Sequence, residues 1–440
     1  MSLSDASKKL LLFVFLALFL AAVPVSGQDT AKGNIHPNFR LSFTERFRMV
    51  SWDYGINLRK LRWDPYSFTR HRSSLMGQWY PLTDLELTLR LTNEFRYYFH
   101  PVKERAGNLD EVFVDLLYAK WDINTGFRGT LTLGRQNIIL GEGFLVMDGG
   151  PLDGSRSIYF NAARFDWKLD KAKSLSLFYM YQEETDEWLP ILHDQDKPMV
   201  DQPEEGFGAY FSGDFAATNL QAYAIRKNVK ETATQPAASE INTFGGRVQV
   251  PAMEKLSATI EAAYQFGKLG DADRAAFGGY THLDYTTGWA VYLPSALTAG
   301  AVYLSGDDPE TGDWEGWDPL FARWPKWSES SIYTLIREGG VAYWSNFASA
   351  YVRVGFKLSD QVRVQGDFQH LIASQVPDTA LSFPGGTGKT RGELLIGKMT
   401  FQINDRLSGH LLWETFFPGN FYFDEAVRYS WVRVEFMLKL

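Results

Sequence analysis

The chain has 440 residues, a formal net charge of −8, 15% aromatic residues and no cysteine. The lack of cysteine excludes disulfide frameworks, thiolate metal sites and a lipidated N-terminal cysteine. The acidic charge argues against general nucleic-acid binding, so we expect no nucleic-acid partner.

The N-terminal residues have the features of an export signal. Two lysines precede an apolar stretch over residues 10–23, and small residues at 25–27 allow cleavage before Gln28. This stretch of roughly 14 residues is shorter than the ~20 apolar residues that a membrane-spanning helix needs. We therefore expect a signal peptide over residues 1–27 and a single mature domain over residues 28–440.

From Phe39 to the last residue, apolar and polar side chains alternate with a period of two. Because successive side chains of a strand point to opposite faces, this period predicts β-strands with one apolar and one polar face. The alternating runs, in chain order, are 39–52, 67–80, 85–99, 111–121, 128–137, 156–167, 174–183, 206–214, 218–227, 241–250, 256–266, 276–286, 297–305, 346–358, 361–373, 391–402, 406–417 and 427–440.

The connections between these runs include both short turns and long polar loops. Residues 81–84 and 404–405 form short connections, whereas 184–205 and 306–345 are long. Short turns at one end and long loops at the other are typical of outer-membrane barrels. We therefore predict an all-β, antiparallel up-and-down transmembrane barrel of about 18 strands, with 16 as the alternative, in a Gram-negative-type outer membrane. Membrane lipid and lipopolysaccharide are its expected surroundings.

Aromatic residues cluster near the predicted strand ends. Trp79, Trp121, Phe416 and Trp431 are examples. Aromatic girdles at the two membrane interfaces produce this pattern in barrels. We expect these side chains to face the interfaces.

The polar face of the predicted strands is rich in arginine, and in a barrel this face lines the lumen. Arginine rings favour anions, and the planar guanidinium group binds carboxylates through two hydrogen bonds. Two interpretations stay open, a net-positive transport path and a structural network in which acidic residues neutralise the arginines. The candidate lumen arginines from this alternation are Arg40, Arg46, Arg48, Arg70, Arg72, Arg90, Arg96, Arg353, Arg363 and Arg433, and their candidate acidic partners are Glu86, Glu94, Asp115, Asp367 and Glu435.

The acidic excess lies in two predicted loops, 183–205 and 307–318. We interpret them as solvated or lipopolysaccharide-facing segments. Ca²⁺ binding by their carboxylates is the alternative, although the spacing does not match an EF-hand loop. We expect no other cofactor and no resident metal. The chain also lacks the G-x-S-x-G and H-E-x-x-H motifs, so we do not expect an enzyme.

Several short motifs resemble the alginate export family, whose members are outer-membrane barrels that release an anionic polysaccharide. The resembling segments are Gly134-Arg135-Gln136, Gly141-Glu142-Gly143, Arg156-Ser157, Arg164-Phe165, Ser305-Gly306-Asp307-Asp308-Pro309 and Asp318-Pro319-Leu320-Phe321. Asn161, the Trp-rich stretch 314–327 and the terminal Leu440 depart from the family pattern.

The resemblance implies a monomeric barrel of eighteen strands whose arginine-lined lumen conducts a carboxylated polymer passively. It implies that Arg135, Arg156 and Arg164 lie near the constriction. It also implies that Asp307 helps to fold an extracellular segment, within the loop motif formed by Ser305, Gly306, Asp307 and Asp318.

The sequence therefore predicts a passive channel for anionic solutes, with export of an acidic, uronate-type polysaccharide as the expected activity. A periplasmic secretion partner would accompany such an exporter. Two alternatives remain. The first is a general or small-anion-selective porin, and the second is a structural barrel that sheathes a partner protein.

Overall fold

The computed structural model describes residues 33–36, 38–54, 58–59, 66–100, 110–126, 128–148, 159–194, 199–200, 202–232, 237–287, 293–322, 326–330, 345–376 and 386–440. No helix in these ranges is long and apolar enough to cross a bilayer. The expected signal peptide and Arg156 lie outside the described residues.

Strands dominate the described residues. They are β1 (Gly33–His36), β2 (Phe39–Asp53), β3 (Tyr66–Leu82), β4 (Leu85–His100), β5 (Val112–Ile123), β6 (Gly129–Gln136), β7 (Ile138–Ile139), β8 (Met147–Asp148), β9 (Phe160–Lys168), β10 (Lys173–Gln182), β11 (Ile191–Leu192), β12 (Glu204–Phe215), β13 (Thr218–Val229), β14 (Ser239–Met253), β15 (Leu256–Leu269), β16 (Ala272–Thr286), β17 (Ala296–Leu304), β18 (Phe347–Lys357), β19 (Val362–Ile372), β20 (Thr390–Gln402), β21 (Leu407–Pro418) and β22 (Tyr429–Lys439).

Eighteen of these strands, all except the short β1, β7, β8 and β11, form one closed antiparallel barrel. Each long strand pairs with the next, and β2 pairs with β22 to close the wall, from Thr44 opposite Lys439 to Asp53 opposite Ser430. Closure leaves no open sheet edge, so the backbone groups of the wall are hydrogen-bonded within the protein. The predicted eighteen-strand barrel is confirmed.

The two ends of the barrel differ in the length of their connections. At one end, which we call the turn end, strands join through pairs of residues such as 83–84 and 216–217. At the opposite loop end, connections such as 183–203 and 305–346 are long, although Gly270 and Asp271 alone join β15 to β16 there. In barrels of this kind the short turns face the periplasm.

Side-chain exposure distinguishes the outer face of the wall from the inner face. Leu89 and Val352 are 42% and 51% exposed, because no part of the protein covers these two outward positions. Trp79 and Trp121 are likewise exposed at the turn end, where the Trp121 indole donates to Asp84 at 3.0 Å. These two tryptophans have the position expected of an interfacial girdle.

The girdle prediction is wrong for Phe416 and Trp431. Both are 3% exposed, and both lie on the inward face of the wall. Trp431 shares its parity with Arg433, and the Phe416 ring packs on Tyr429 at 5.5 Å. They pack inward because the lumen near the loop end is filled with apolar side chains.

Three loop segments supply this filling, the hairpin of β7 and β8, the segment 305–322 and the segment 326–330. Residue Val146 of the hairpin pairs with Phe321 of the segment 305–322. The Phe144 ring stacks on Trp317 at 5.3 Å and meets Trp327 edge-on at 6.5 Å. We call Phe144, Trp317, Leu320, Phe321 and Trp327 the aromatic plug.

Glycines on the inner wall make room for the aromatic plug. A Cβ atom at Gly278 would lie 2.6 Å from the Trp317 ring, and one at Gly206 would lie closer still to Phe321. Larger residues at these two wall positions would therefore displace the plug rings. Segments 305–322 and 137–148 are thus built to fit inside the barrel.

Candidate functional site

Arginines are concentrated on one sector of the inner wall, formed by β22 and β2 to β5. Strand register places Arg48 opposite Arg70, and Arg70 opposite Arg96. Like charges directly across a strand pair are unfavourable unless other groups compensate them. We call this set the arginine wall, and its members are Arg46, Arg48, Arg70, Arg72, Arg90, Arg96 and Arg433.

One carboxylate, Glu94 of β4, compensates three of these arginines. Arg70 Nη2 lies 2.6 Å from Glu94 Oε1, and Arg72 Nη1 lies 2.9 Å from Glu94 Oε2. Arg46 Nη2 approaches the same carboxylate at 3.6 Å. One carboxylate therefore contacts three arginines on this part of the wall.

Asp115 is fully buried and contacts two arginines, Arg72, which Glu94 also binds, and Arg90. Arg72 Nη2 and Arg90 Nε lie 2.9 and 2.6 Å from its Oδ2 atom. The pairing of β4 with β5 skips Asp115, because Arg90 faces Leu116 while Leu91 faces Val114. This β-bulge re-aims the aspartate into the lumen, as bulges near functional sites do.

At the closing seam, Arg48 of β2 donates to Glu435 of β22. Arg433 donates to Glu329, a residue of the segment 326–330 that lies inside the lumen against β21 and β22 and that we call the lumen strap. Among the described residues, the carboxylates in contact with arginines of this wall include Glu94, Asp115, Glu435 and Glu329.

The other arginines expected from the alternation have different surroundings. Arg353 of β18 pairs with Asp367 of β19 at 2.8 Å, and Arg363 is exposed near the turn end of the same strand pair. Arg40 is also exposed at the turn end, where its guanidinium lies 5.0 Å from the centre of the Tyr80 ring.

Glu86 has no arginine among its hydrogen-bond donors in the described residues. Gln78 donates to its Oε1 atom at 2.9 Å, Thr88 at 2.8 Å and Tyr118 at 3.2 Å. Its partners are therefore an amide and two hydroxyl groups.

The motif arginines also differ from one another. Arg164 of β9 pairs with Asp166 of the same strand at 2.8 Å. Arg135 is 2% exposed and binds both oxygens of Asp186, at 2.9 and 2.6 Å, with its guanidinium over the Tyr159 ring. By register Arg135 lies opposite Leu117, whose parity faces outward, so it is not part of the arginine wall.

Three acids of the two acidic loops are buried, which differs from the expected solvated loops. Asp186 binds Arg135, whereas Glu204 and Asp318 both contact Lys227, each at 3.4 Å. They are buried because they fix the loops to the wall through ion pairs. Of the remaining acids of 307–318, Glu310 and Asp313 are exposed, and the others are half-buried.

The loop motif residues brace the inward-folded segment. The Ser305 hydroxyl donates to the Glu315 carbonyl at 2.6 Å, and Asp307 accepts the Glu315 amide hydrogen at 2.9 Å. Gly306 donates its amide to Ser374 at 2.7 Å. Asp318 accepts the Leu320 amide at 2.7 Å, so each motif residue stabilises the backbone of the segment.

A second charged cluster, which the alternation did not reveal, surrounds Glu142 at the tip of the β7–β8 hairpin. Its carboxylate contacts Arg247 at 2.6 Å, Lys326 at 2.6 Å and His282 at 3.3 Å. Burial alone would raise the pKa of Glu142, but hydrogen bonds from these three cationic groups outweigh it and hold that pKa well below its usual range.

Metal binding has no built site in the described ranges, where no group of three His, Asp or Glu side chains is arranged to hold an ion. The Ca²⁺ alternative for the acidic loops therefore stays a prediction.

Comparison with known proteins gives a family and a fold. The family model described as alginate export matches residues 76–434. No curated protein sequence matches the chain.

Three solved structures from Pseudomonas aeruginosa illustrate the structural likeness. OpdO has a TM-score of 0.60 at 11% identity, covering 92% of this chain and 97% of its own. OccK5 (OpdH) has a TM-score of 0.58 at 13% identity, covering 92% and 98%. OpdK solved with vanillate has a TM-score of 0.56 at 10% identity, covering 91% and 98%. At these identities the likeness shows the fold alone.

Proposed function

Because this chain belongs to the alginate export family, we propose that it is a passive outer-membrane channel for anionic solutes that exports an acidic, uronate-type polysaccharide. The family and the porin-like barrel indicate an outer-membrane channel rather than an enzyme. The preference for anions and the polymeric cargo are the parts of this function that we propose.

The arginine wall is the observation that carries the proposal. Seven arginines from β22, β2, β3 and β4 share one inner sector, and several lie directly opposite one another. A fold that needed only structural ion pairs would gain nothing from placing Arg48, Arg70 and Arg96 in a row, since like charges across a ladder destabilise it. Such a row lowers the energy of an entering carboxylate and raises that of a cation.

The arginines also make ion pairs, so a structural role has to be weighed. Glu94 and Asp115 each serve more than one arginine, and Glu329 belongs to a loop rather than to the wall. A carboxylate on a solute can replace one on a loop without a change in net charge. The pairing therefore supports a positive path as well as a structural network.

Ion selectivity tests the proposal directly. Replacing Arg90, Arg96, Arg353 and Arg363 by glutamine avoids the most deeply buried arginines and removes four charges from the lumen. In planar bilayers we expect the reversal potential to move toward cation preference, most strongly at low salt, because salt screens over ~8–10 Å. Uronate oligosaccharides should also block the variant less strongly.

The matched control removes four charges from the ends of the barrel. Lys171, Lys230, Lys255 and Arg406 are exposed in turns or loops, and their replacement by glutamine should leave selectivity nearly unchanged. A cation-selective wild-type channel, or equal shifts in the two variants, would contradict the proposal.

A small-anion porin is the second candidate, and the structurally similar OpdK was solved with vanillate. Vanillate is an aromatic carboxylate, and the aromatic plug of this chain offers rings beside charged groups. Block by uronate oligomers separates the candidates, because a polymer path should bind longer oligomers more tightly while a small-anion site should not.

The sheath alternative needs an open lumen for a partner protein. The aromatic plug and the lumen strap occupy that space, which argues against it. A monomeric state, a periplasmic secretion partner and contact with lipopolysaccharide stay predictions.

A further inference from the structure

The Glu142 cluster brings three cationic side chains from three separate elements onto one carboxylate. Arg247 comes from β14, His282 from β16 and Lys326 from the lumen strap. Glu142 Oε1 accepts from Arg247 and His282, and Glu142 Oε2 accepts from Lys326. This geometry matches a binding site for a carboxylate anion.

The two wall cations are held in place by groups other than Glu142. His282 Nδ1 lies 2.6 Å from Asp284 Oδ2, which orients the imidazole so that Nε2 faces the lumen. Arg247 also donates to Gln249 at 3.3 Å. These contacts would keep both cations in position if the Glu142 carboxylate moved away.

Glu142, by contrast, is positioned by the backbone turn at the tip of the hairpin. Gly141 and Gly143 flank the glutamate with φ values of 57° and 77°, a conformation that favours glycine. The Glu142 side chain remains 28% exposed, and it belongs to a loop rather than to a wall strand. Its side chain can therefore turn away at little cost to the barrel wall.

Aromatic rings beside the cations suit a sugar. The Tyr280 ring stacks on His282 at 5.9 Å, and the Lys326 ammonium lies 4.3 Å from the centre of the same ring. Tyr210 and Tyr223 stack on each other at 5.4 Å on the neighbouring strands. Flat rings next to carboxylate-binding groups complement the apolar face and the acid group of a uronate.

We infer that Arg247, His282 and Lys326 form a carboxylate subsite in the lumen, that Glu142 fills it in this structure, and that the carboxylate of an acidic sugar takes its place. The inference rests on the proposed function, because it requires anionic sugars to enter the lumen. It adds a specific binding site, away from the arginine wall, with Glu142 as a tethered competitor.

Block of single channels by trigalacturonate tests this inference, with neutral maltotriose as the matched sugar. Glu142→Gln keeps the shape of the side chain and removes its charge, so trigalacturonate should block about tenfold more tightly, the effect of losing one charge-assisted competitor. Arg247→Gln should weaken the block by a similar factor of about ten. Glu240→Gln, at the exposed loop end of β14, should leave the block unchanged.

Heat-modifiable migration on gels reports whether each variant still forms the barrel. If Glu142→Gln does not assemble, Glu142→Asp provides the same test, because the shorter side chain withdraws the carboxylate and should also strengthen block. The subsite is supported if Glu142→Gln tightens the block by trigalacturonate and the Glu142→Gln, Arg247→Gln double variant loses this gain.

Two failures can be told apart. An anion-selective channel that trigalacturonate blocks, but whose block does not tighten in Glu142→Gln or Glu142→Asp, overturns the subsite and leaves the proposed function standing. A wild-type channel that prefers cations and is not blocked by trigalacturonate overturns the proposed function itself.

Discussion

The carboxylate of Glu329 lies against the guanidinium of Arg433, although 104 positions separate the two residues in the chain. The same strap is held by Glu414 of β21, which accepts hydrogen bonds from the Ser328 hydroxyl at 2.6 Å and the Ser330 amide at 3.0 Å. Two neighbouring wall strands therefore hold the segment 326–330 inside the lumen, with a loop carboxylate on a wall arginine.

Neutralising Glu329 should loosen this strap. Glu329→Gln removes a charged partner of Arg433, and a hydrogen bond to a charged group contributes about 1.5–3 kcal/mol. We expect larger mean conductance and stronger anion selectivity in planar bilayers, because the segment is less firmly held and one negative charge is gone. Glu425→Gln, on an exposed loop, is the control. Equal currents in the two variants would show that the strap does not limit flow.

The wall of the barrel could be predicted from the sequence because its signal is local. A period of two places Arg46 and Arg48 on one face and Leu41 and Met49 on the other, whatever the rest of the chain does. Closure then brings Arg48 beside Glu435, two residues that alternation placed on the inward faces of the first and last long strands. Strand number and inward parity follow from the same rule.

The loops could not be predicted in this way, since their partners are set by the folded barrel. Glu142 and Lys326 are 184 positions apart, and no periodicity links them. A signal did exist at the hairpin, where a lone glutamate sits between two glycines and precedes the apolar run Phe144-Leu145-Val146. An acid beside such a run suggests a buried charge that needs a cationic partner.

Counting charges also misled the interpretation of the acidic loops. Asp186 looks like its exposed neighbour Glu187 in the sequence, yet it is buried against Arg135. Phe416 and Phe417 are also adjacent and differ in burial: Phe416 packs in the lumen, whereas Phe417 faces outward. In each pair the fold buries one of two adjacent residues of similar chemistry, and composition cannot predict which one.

The Arg135–Asp186 pair should be critical for stability. Asp186→Asn leaves a buried guanidinium without its charged partner, and breaking a buried ion pair in this way costs about 3–5 kcal/mol. Urea unfolding in detergent should show a lower midpoint for this variant. Glu187→Gln, one residue further along and exposed, should unfold like the wild type. A similar midpoint for both variants would mean that loop 183–203 adds little to the barrel.

Outward and inward positions should respond differently to arginine. Leu89 faces lipid, where an added arginine costs roughly 2–4 kcal/mol near the middle of the membrane. Gln365 shares the inward parity of Asp367 and is half-buried, so Gln365→Arg places its charge near a carboxylate in the lumen. We expect Leu89→Arg to reduce heat-resistant barrel on gels and Gln365→Arg to assemble normally. Equal loss for both would reverse the assignment of the faces.

The orientation of the barrel can be tested by labelling, because the chain contains no cysteine and any introduced thiol is unique. Glu231 is exposed at the loop end, and Lys171 is exposed at the turn end. A polyethylene glycol maleimide of about 5 kDa is too large to pass through a barrel of this size. If the long loops face outside, this reagent should label Glu231→Cys on intact cells. Lys171→Cys should react only after the outer membrane is permeabilised. Labelling in the opposite order would invert the topology, and with it the side from which a uronate polymer first meets the aromatic plug.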